Sequence, residues 1–581
     1  MTTARLVTVA VMATSLGTVF AQQAEPPIEW IRANAIRLTT PEAGRGFADL
    51  QPLKKVVGES RIVSLGEATH GSREFFQLKH RLLEFLASEM GFTIFSIEAN
   101  MPEAYRLNDY VLNGIGDPAQ LLRGMYFWTW DTEEVLAMIQ WMRAFNQSGN
   151  GRVQFTGFDM QIAPVAADNV RAFVAKYEPA YVSTVTDATT AATRASSAGG
   201  AAGGFGVATG SFPIAKATGK KIKYSGYIKT EGVTRGFAGL WWRVDGPSGV
   251  LAFDNMQSRG VTGSTEWTRY TIELPVDASA RNINFGALLP GDGTAWFDDL
   301  TIELDGQAYT DTDALDLGFE SPSPRGFFTG GDGYRVQLDG SVAHSGKQSL
   351  RMQHLGSTAG APAVAAVTPA AAVAAWTAVV AHLESGRDRY RAAGASDGDV
   401  DWVVQHARVV LQAMQMRANQ VPRDRSMAEN VKWILDHNPK SKIVLWAHNG
   451  HVATGGFSYE TMGTALRRMY GKDMVVFGFA FNQGAFQAIA QGGGGLKNHT
   501  VPVAKPETLD GALAAASLPL FALDLRGAPA WFEQPRGSRQ IGAAYPEGEP
   551  YAYVGNIVPK EAFDAILFVD TTTVARKNPG R

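Results

Sequence analysis

The sequence predicts an α/β fold: a mixed or mostly parallel sheet flanked by helices and interrupted by an inserted all-β sandwich. Three observations predict it. Short apolar runs alternate with helix-period segments in the first third of the chain and again in the last. Between those stretches the helical period gives way to short alternating runs separated by Gly, Pro and Asp. Ionisable residues close four of the apolar runs, three before the interruption and one far after it.

The elements follow in order. Arg5, the apolar run Leu6–Phe20 and the small residue Ala21 read as a secretory leader over residues 1–21, cleaved near Ala21, which implies a periplasmic or secreted protein. No other segment is apolar enough to span a bilayer. Residues 22–195 read as the first part of the α/β unit. There Arg61–Leu65 is strand-like, and Glu74 to Met90 places Phe75, Leu78, Leu82, Phe85 and Leu86 at helical spacing. Phe92–Ile97 and Val153–Thr156 are the next strands, with a helix over Val135–Phe145 between them. Residues 196–355 read as the sandwich, entered through the low-complexity run 196–204 and built on strands at Lys221–Lys229, Trp267–Leu274, Asn282–Leu289 and Ala295–Leu304. Residues 356–581 read as the second α/β part, entered through the Ala/Gly-rich seam 356–375. Its strands fall at Lys442–Trp446, Met474–Gly478, Leu518–Leu523 and Ala565–Val569.

Composition excludes several functions. The 581 residues suit two to four domains at about 100–200 residues each. A net charge of −3 gives no bulk attraction to nucleic acid. With no cysteine there is no thiol nucleophile, thiolate metal site or disulfide framework. Hydrophobic residues at 45% and aromatics at 10% describe a globular chain.

Ligands of open α/β sheets bind beyond the carboxyl ends of the strands. If the four strands are parallel, Glu67, His70, Glu98, Asp159, His448 and His451 converge on one edge. Taken singly, each also fits a helix cap, a turn or a packed histidine. Together they form one cluster, and the cluster requires both flanks of the insertion to share one sheet. Gly66 and Gly71 suit a tight turn where backbone approaches a ligand.

The run Ser64-Leu65-Gly66-Glu67-Ala68-Thr69-His70-Gly71-Ser72-Arg73-Glu74-Phe75 resembles the N-terminal motif of the erythromycin esterase family. Ile97-Glu98-Ala99-Asn100, Phe127 to Glu134, Trp141-Met142-Arg143, Arg423 to Asn430 and Trp446-Ala447-His448-Asn449-Gly450-His451 follow the same family in order. The resemblance covers both flanks and leaves out the sandwich. Trp296 to Leu300 and His344 to Lys347 are similar to carbohydrate-binding jelly rolls. The family resemblance implies a metal-independent hydrolase that opens the lactone ester of a macrolide and needs no cofactor. It puts the catalytic histidine at His70, acidic partners at Glu67 and Glu98, and a second histidine at His448. Many relatives have no proven macrolide activity, so the resemblance does not fix the substrate, and some are named for exopolysaccharide synthesis.

Ester hydrolysis needs an activated nucleophile and a stabilised oxyanion. No G-x-S-x-G elbow is present, so a water activated by His70 is favoured over Ser72. Arg73, Arg425 and His448 can supply positive charge, with His451 and Asp159 beside the substrate. Arg73 and Arg425 fit structural ion pairs as well. Tyr126, Phe127, Trp128 and Trp130 either wall a pocket for a small-molecule ester or pack the core. A metal-dependent hydrolase would use the same His/Glu cluster, which matches no H-E-x-x-H spacing. A non-catalytic glycan- or partner-binding protein is the other alternative. Exposed Trp241, Trp242 or Trp267 would support a glycan contact by the sandwich; burial would assign them to its core.

Overall fold

Strand β1 (Ile62–Leu65) is buried at every position, as expected of a parallel strand covered on both faces. In the computed structural model, β1 lies in a ten-stranded sheet with β2 (Phe92–Asn100), β3 (Gln154–Asp159), β4 (Lys442–Trp446), β5 (Met474–Ala490) and β6 (Ala565–Thr572). Between residues 25 and 578 the structure describes all but 126, 199–204, 247–248, 279, 281, 311–314, 322–323, 332, 356–368, 458, 491–495 and 547. The expected leader, Tyr126 and parts of both Ala/Gly-rich seams lie outside the described residues.

The spatial order is Ile36–Arg37, Leu520–Asp524, β6, β5, β1, β4, β2, β3. Every neighbour from β6 to β3 is parallel. The two pairings beyond β6 are antiparallel, so the sheet is mixed. Strand β4 comes from the far side of the insertion yet sits between β1 and β2, with Trp446 in register with Leu65 and Ile97. One sheet therefore holds both flanks, as the expected convergence requires.

Side chains alternate between two apolar clusters. Along β4, Ile443 and Leu445 join one cluster, and Val444 and Trp446 join the other. Helix α1 (Arg73–Met90) packs on the Trp446 side through Phe75, Phe76, Leu78, Leu82 and Phe85. It stops at Gly91, whose φ of 72° permits the left-handed cap donating to the Leu86 carbonyl. Helix α2 (Glu133–Gln147), capped by Thr132, lies on the same side. Helices α3 (Asp397–Arg417), with a Ser396–Asp399 capping box, and α4 (Arg423–Asp436) cover the opposite face.

The second ten-stranded sheet lies between Gly206 and His354 and pairs antiparallel throughout. Its long strand Lys221–Gly246 pairs first with Thr294–Leu304 and then with Asn282–Leu289, joining two halves over one apolar core. Trp242 is fully buried in that core against Phe285, while Trp241 and Trp267 are half-buried.

The expected strand Met474–Gly478 runs on to Ala490. Asn482, Gln483 and Gly484 look like a break in sequence. The ladder continues because Gln483 and Gly484 pair with Thr571 and Thr572, and the Asn482 amide donates to Asp570 at 2.9 Å.

Candidate active site

The carboxyl ends of β1, β4, β2 and β3 lie side by side, and the residues beyond them form two connected groups. The first is centred on Glu67, which is fully buried. Its Oε1 accepts from His70 Nδ1 at 2.6 Å, and its Oε2 accepts from Lys79 Nζ and Trp446 Nε1, each at 2.6 Å. Burial opposes ionisation of Glu67. The Lys79 ammonium and the His70 hydrogen bond outweigh it and hold the carboxyl below its ordinary range. With the carboxylate accepting at Nδ1, a proton sits there, and in the neutral ring Nε2 carries the lone pair. The His70 side chain is 12% exposed. Nε2 makes no hydrogen bond among the described residues.

Gly66 and Gly71 bracket this group; Gly71 lies in a turn, and what demands glycine at both is close packing. Neither has a positive φ. A Cβ on Gly66 would stand 2.2 Å from Asn449 Oδ1, and one on Gly71 would stand 2.2 Å from the Gln487 carbonyl. The motif is pressed against protein on both sides.

The second group is centred on Arg423, at the start of α4. Its guanidinium donates from Nε and Nη2 to Asp159 at 3.1 and 2.7 Å, and from Nη2 to Glu98 Oε1 at 2.7 Å. His451 Nδ1 meets Asp424 Oδ1 at 2.9 Å; its Nε2 lies 3.1 Å from Arg423 Nη1 and 3.4 Å from Glu98 Oε1. When neutral, Nε2 accepts from Arg423; when protonated, it donates to Glu98. Burial lowers the proton affinity of His451, but Glu98 and Asp424 outweigh it and raise the pKa above the ordinary value. Burial likewise opposes ionisation of Glu98, and His451, Arg423, His70 and the His448 N–H hold its carboxyl far below the carboxylate range.

His448 joins the two groups. Its backbone N–H donates to Glu98 Oε2 at 3.0 Å, and its ring centroid lies 5.2 Å from that of His70. Its Nδ1 accepts the Gly450 N–H at 3.1 Å, capping helix α5 (Asn449–Val452), and its Nε2 donates to the Ile541 carbonyl at 3.2 Å. Burial and the neighbouring His70 and His451 push its pKa down to about 3. With Nδ1 accepting from and Nε2 donating to the backbone, the ring is neutral in this arrangement, which corrects the expectation that His448 supplies positive charge.

Other expectations are corrected on similar grounds. Arg73 lies on the outer face of α1, 3.4 Å from Glu134, and Arg425 is nearly half exposed beside Glu429. Among the described residues no hydrogen bond or ion pair joins either arginine to His70, Glu98 or His451. Position 423 points to the sheet edge, and 425 lies more than half a helical turn round the axis. Asp159 is fully buried, with its oxygens taken by Arg423, the Met160 N–H and Gln161, so it orients Arg423 and is closed to substrate. Trp130 is 2% exposed and packs edge-on against Trp446 at 5.1 Å, so it belongs to the wall behind Glu67. Trp128 is half-buried. Ser72 is buried, and its hydroxyl has no hydrogen-bond partner among the described residues. Lys79, Trp446, Arg423 and Asp424 were not among the expected site residues. Arg423, Asp424 and Trp446 stand in the stretches that carry the family resemblance, and Arg423 and Asp424 also open a helix just after Pro422; Lys79 left no signal.

The ion pairs of the second group give stability a pH window. Glu98, held below its ordinary 4.5, contributes stability that is complete above about pH 4.5 and is lost as pH falls through the folded value. His451, held above its ordinary 6.5, contributes stability that is complete below about pH 6.5 and is lost as pH rises through the folded value. Thermal melts across pH should show His451→Gln losing the decline on the alkaline side. An unchanged alkaline decline in that variant would contradict the assignment.

The fold and the two groups define a class: an α/β protein with a carboxylate-held histidine at the carboxyl edge of a parallel sheet. The chain belongs to the erythromycin esterase family, whose model matches residues 87–219 and 344–572. Glu98, Asp159, Arg423, His448 and His451 fall inside the matched residues, and Glu67 and His70 precede them. The unmatched interval lies within the second sheet. The chain is similar to erythromycin esterase type II of Escherichia coli, 30% identical over 135 residues, 23% of this chain and 31% of that one. It is also similar to an uncharacterized HTH-type transcriptional regulator, YbfP, of Bacillus subtilis (strain 168), 43% identical over 93 residues, 16% of this chain and 31% of that one. The matched stretches thus span about a third of the length of these curated relatives. A Bacillus cereus protein of solved structure aligns with a TM-score of 0.58 at 20% identity, over 95% of this chain and 98% of its own, which is a likeness of fold.

Proposed function

We propose that the protein hydrolyses a carboxylic ester of a small molecule, of the macrolactone type, outside the cytoplasm. Family membership supports a hydrolase. The observation that carries the ester chemistry is the Glu67–His70 pair, which presents an imidazole with a free Nε2 at the sheet edge. His70 Nε2 takes a proton from water, the hydroxide adds to the ester carbonyl, and the imidazolium returns the proton to the leaving alkoxide. Glu67 stabilises the imidazolium while Lys79 and Trp446 keep the carboxylate from turning. His451, its proton affinity raised by Glu98 and Asp424, supports the oxyanion together with Arg423.

The steps proposed here use no metal. Among the described residues no group of three or more His, Asp or Glu has the arrangement of a metal site. Assays on a panel of simple esters and macrolides, with products read by mass spectrometry, test the proposal. The expected result is addition of one water to at least one ester, at a rate unchanged by exhaustive chelation. Turnover of none of them would overturn the ester reading, and loss of activity on chelation would overturn the metal-free one.

A further inference from the structure

Helix α1 serves two sides. Lys79 turns to the sheet and Glu67, while His80 and Glu84 face outward into a cavity of about 530 Å³ bounded by residues 42–45 and the start of α2. A second cavity of about 560 Å³ shares Gly44 and Glu84 with the first and is walled by Phe47, Trp141 and Phe145. His80 is 7% exposed, and its Nε2 has no hydrogen-bond partner among the described residues. Burial lowers its pKa to about 4, so the ring is neutral. Glu84 is 5% exposed. Its Oε2 accepts the Gly44 N–H at 2.7 Å, and its Oε1 lies 3.7 Å from His80 Nε2, too far for a hydrogen bond.

The remaining charges of the cavity cancel. Arg45 pairs with Glu42 at 2.9 Å, Arg73 lies 3.4 Å from Glu134, and Arg576 meets Glu133 at 2.9 Å. No lysine or arginine among the described residues pairs with Glu84. It is the surplus charge: burial raises its carboxyl pKa against the Gly44 N–H and the field of Arg81, whose guanidinium is itself bound to Asp49. A carboxylate buried this far without a cation of its own in contact is costly, and a neutral imidazole with an unused nitrogen beside it adds to the cost.

We propose that the two neighbouring cavities, which share Gly44 and Glu84, together bind an organic ammonium, a protonated amine carried on an apolar or aromatic body. The ammonium lies between Glu84 Oε1, its counter-ion, and His80 Nε2, which accepts a hydrogen bond. The body packs on Phe47 and on the Trp141–Phe145 pair, whose rings stack at 5.0 Å. This site is separate from the Glu67–His70 group and does not depend on the hydrolase reading.

Isothermal titration of the full chain at neutral pH, with phenethylammonium and its uncharged isostere 2-phenylethanol, tests the proposal. Wild type should bind the ammonium about ten-fold or more tighter than the alcohol, as expected of a charge-assisted contact. Glu84→Gln should level the two affinities, and His70→Ala should leave both unchanged. Equal wild-type affinities, or no heat with the ammonium, would overturn the proposal, and that comparison needs no variant to fold. Ammonium binding lost in His70→Ala would overturn it too, by placing the probe in the other site.

Discussion

His70→Ala should lower kcat on any ester the protein turns over by on the order of 10²–10⁴-fold, with KM nearly unchanged. The imidazole is the one group beside Glu67 with a free basic nitrogen, so its loss removes the proton acceptor and the proton donor together. The fold should survive. The His70 side chain is partly exposed, and Glu67 keeps both Lys79 and Trp446 when the ring is gone. A melting midpoint close to wild type beside the lost rate separates a chemical role from a structural one. Steady-state kinetics and thermal melts on the same preparation make the comparison. A variant that keeps the wild-type rate would end the case for His70, and so for the proposed mechanism.

Much of this site was legible in the sequence, for a physical reason. Strands buried on both faces are near-continuous apolar runs, so a carboxylate or imidazole just after one stands out. That rule located Glu67, His70, Glu98, Asp159, His448 and His451, and the late position of β4 joined the two flanks. The partners were harder to find. Lys79 lies mid-helix among Leu78, Leu82 and Leu83, where the periodicity argument treats a lysine as surface, and only its reach to a buried carboxylate turns it inward. Trp446 reads as the last apolar residue of a strand until its indole N–H meets Glu67. The choice between Arg423 and Arg425 depends on the rotational phase of α4, which two residues change by about 200°. The reasons for Gly66 and Gly71 lie in Asn449 and Gln487, hundreds of residues away. Apart from the phase of α4, each miss is a contact across the fold, and local pattern carries no record of it.

Lys79→Met should destabilise the fold by about 3–5 kcal/mol, the cost of leaving a buried charge without its partner. Lys79 and Glu67 are both fully buried, 2.6 Å apart, and the ammonium also lies 4.3 Å from the centre of the Trp446 ring. Burial pulls the Lys79 pKa down and Glu67 opposes the fall, leaving it at about 8. Without the ammonium, burial dominates at Glu67 and its carboxyl pKa rises. The acid limb of the pH–rate profile should therefore move to higher pH. The double variant Lys79→Met with Glu67→Gln removes both charges, leaving a neutral amide that still accepts from Trp446 and can meet His70. It should recover much of the lost stability and none of the lost activity, because the amide cannot stabilise an imidazolium as a carboxylate does. Denaturant melts on the wild type, both single variants and the double variant measure the coupling directly. If the double variant is no more stable than Lys79→Met, the ion pair is not what holds this part of the fold. If its activity returns, Glu67 is not the carboxylate that serves His70.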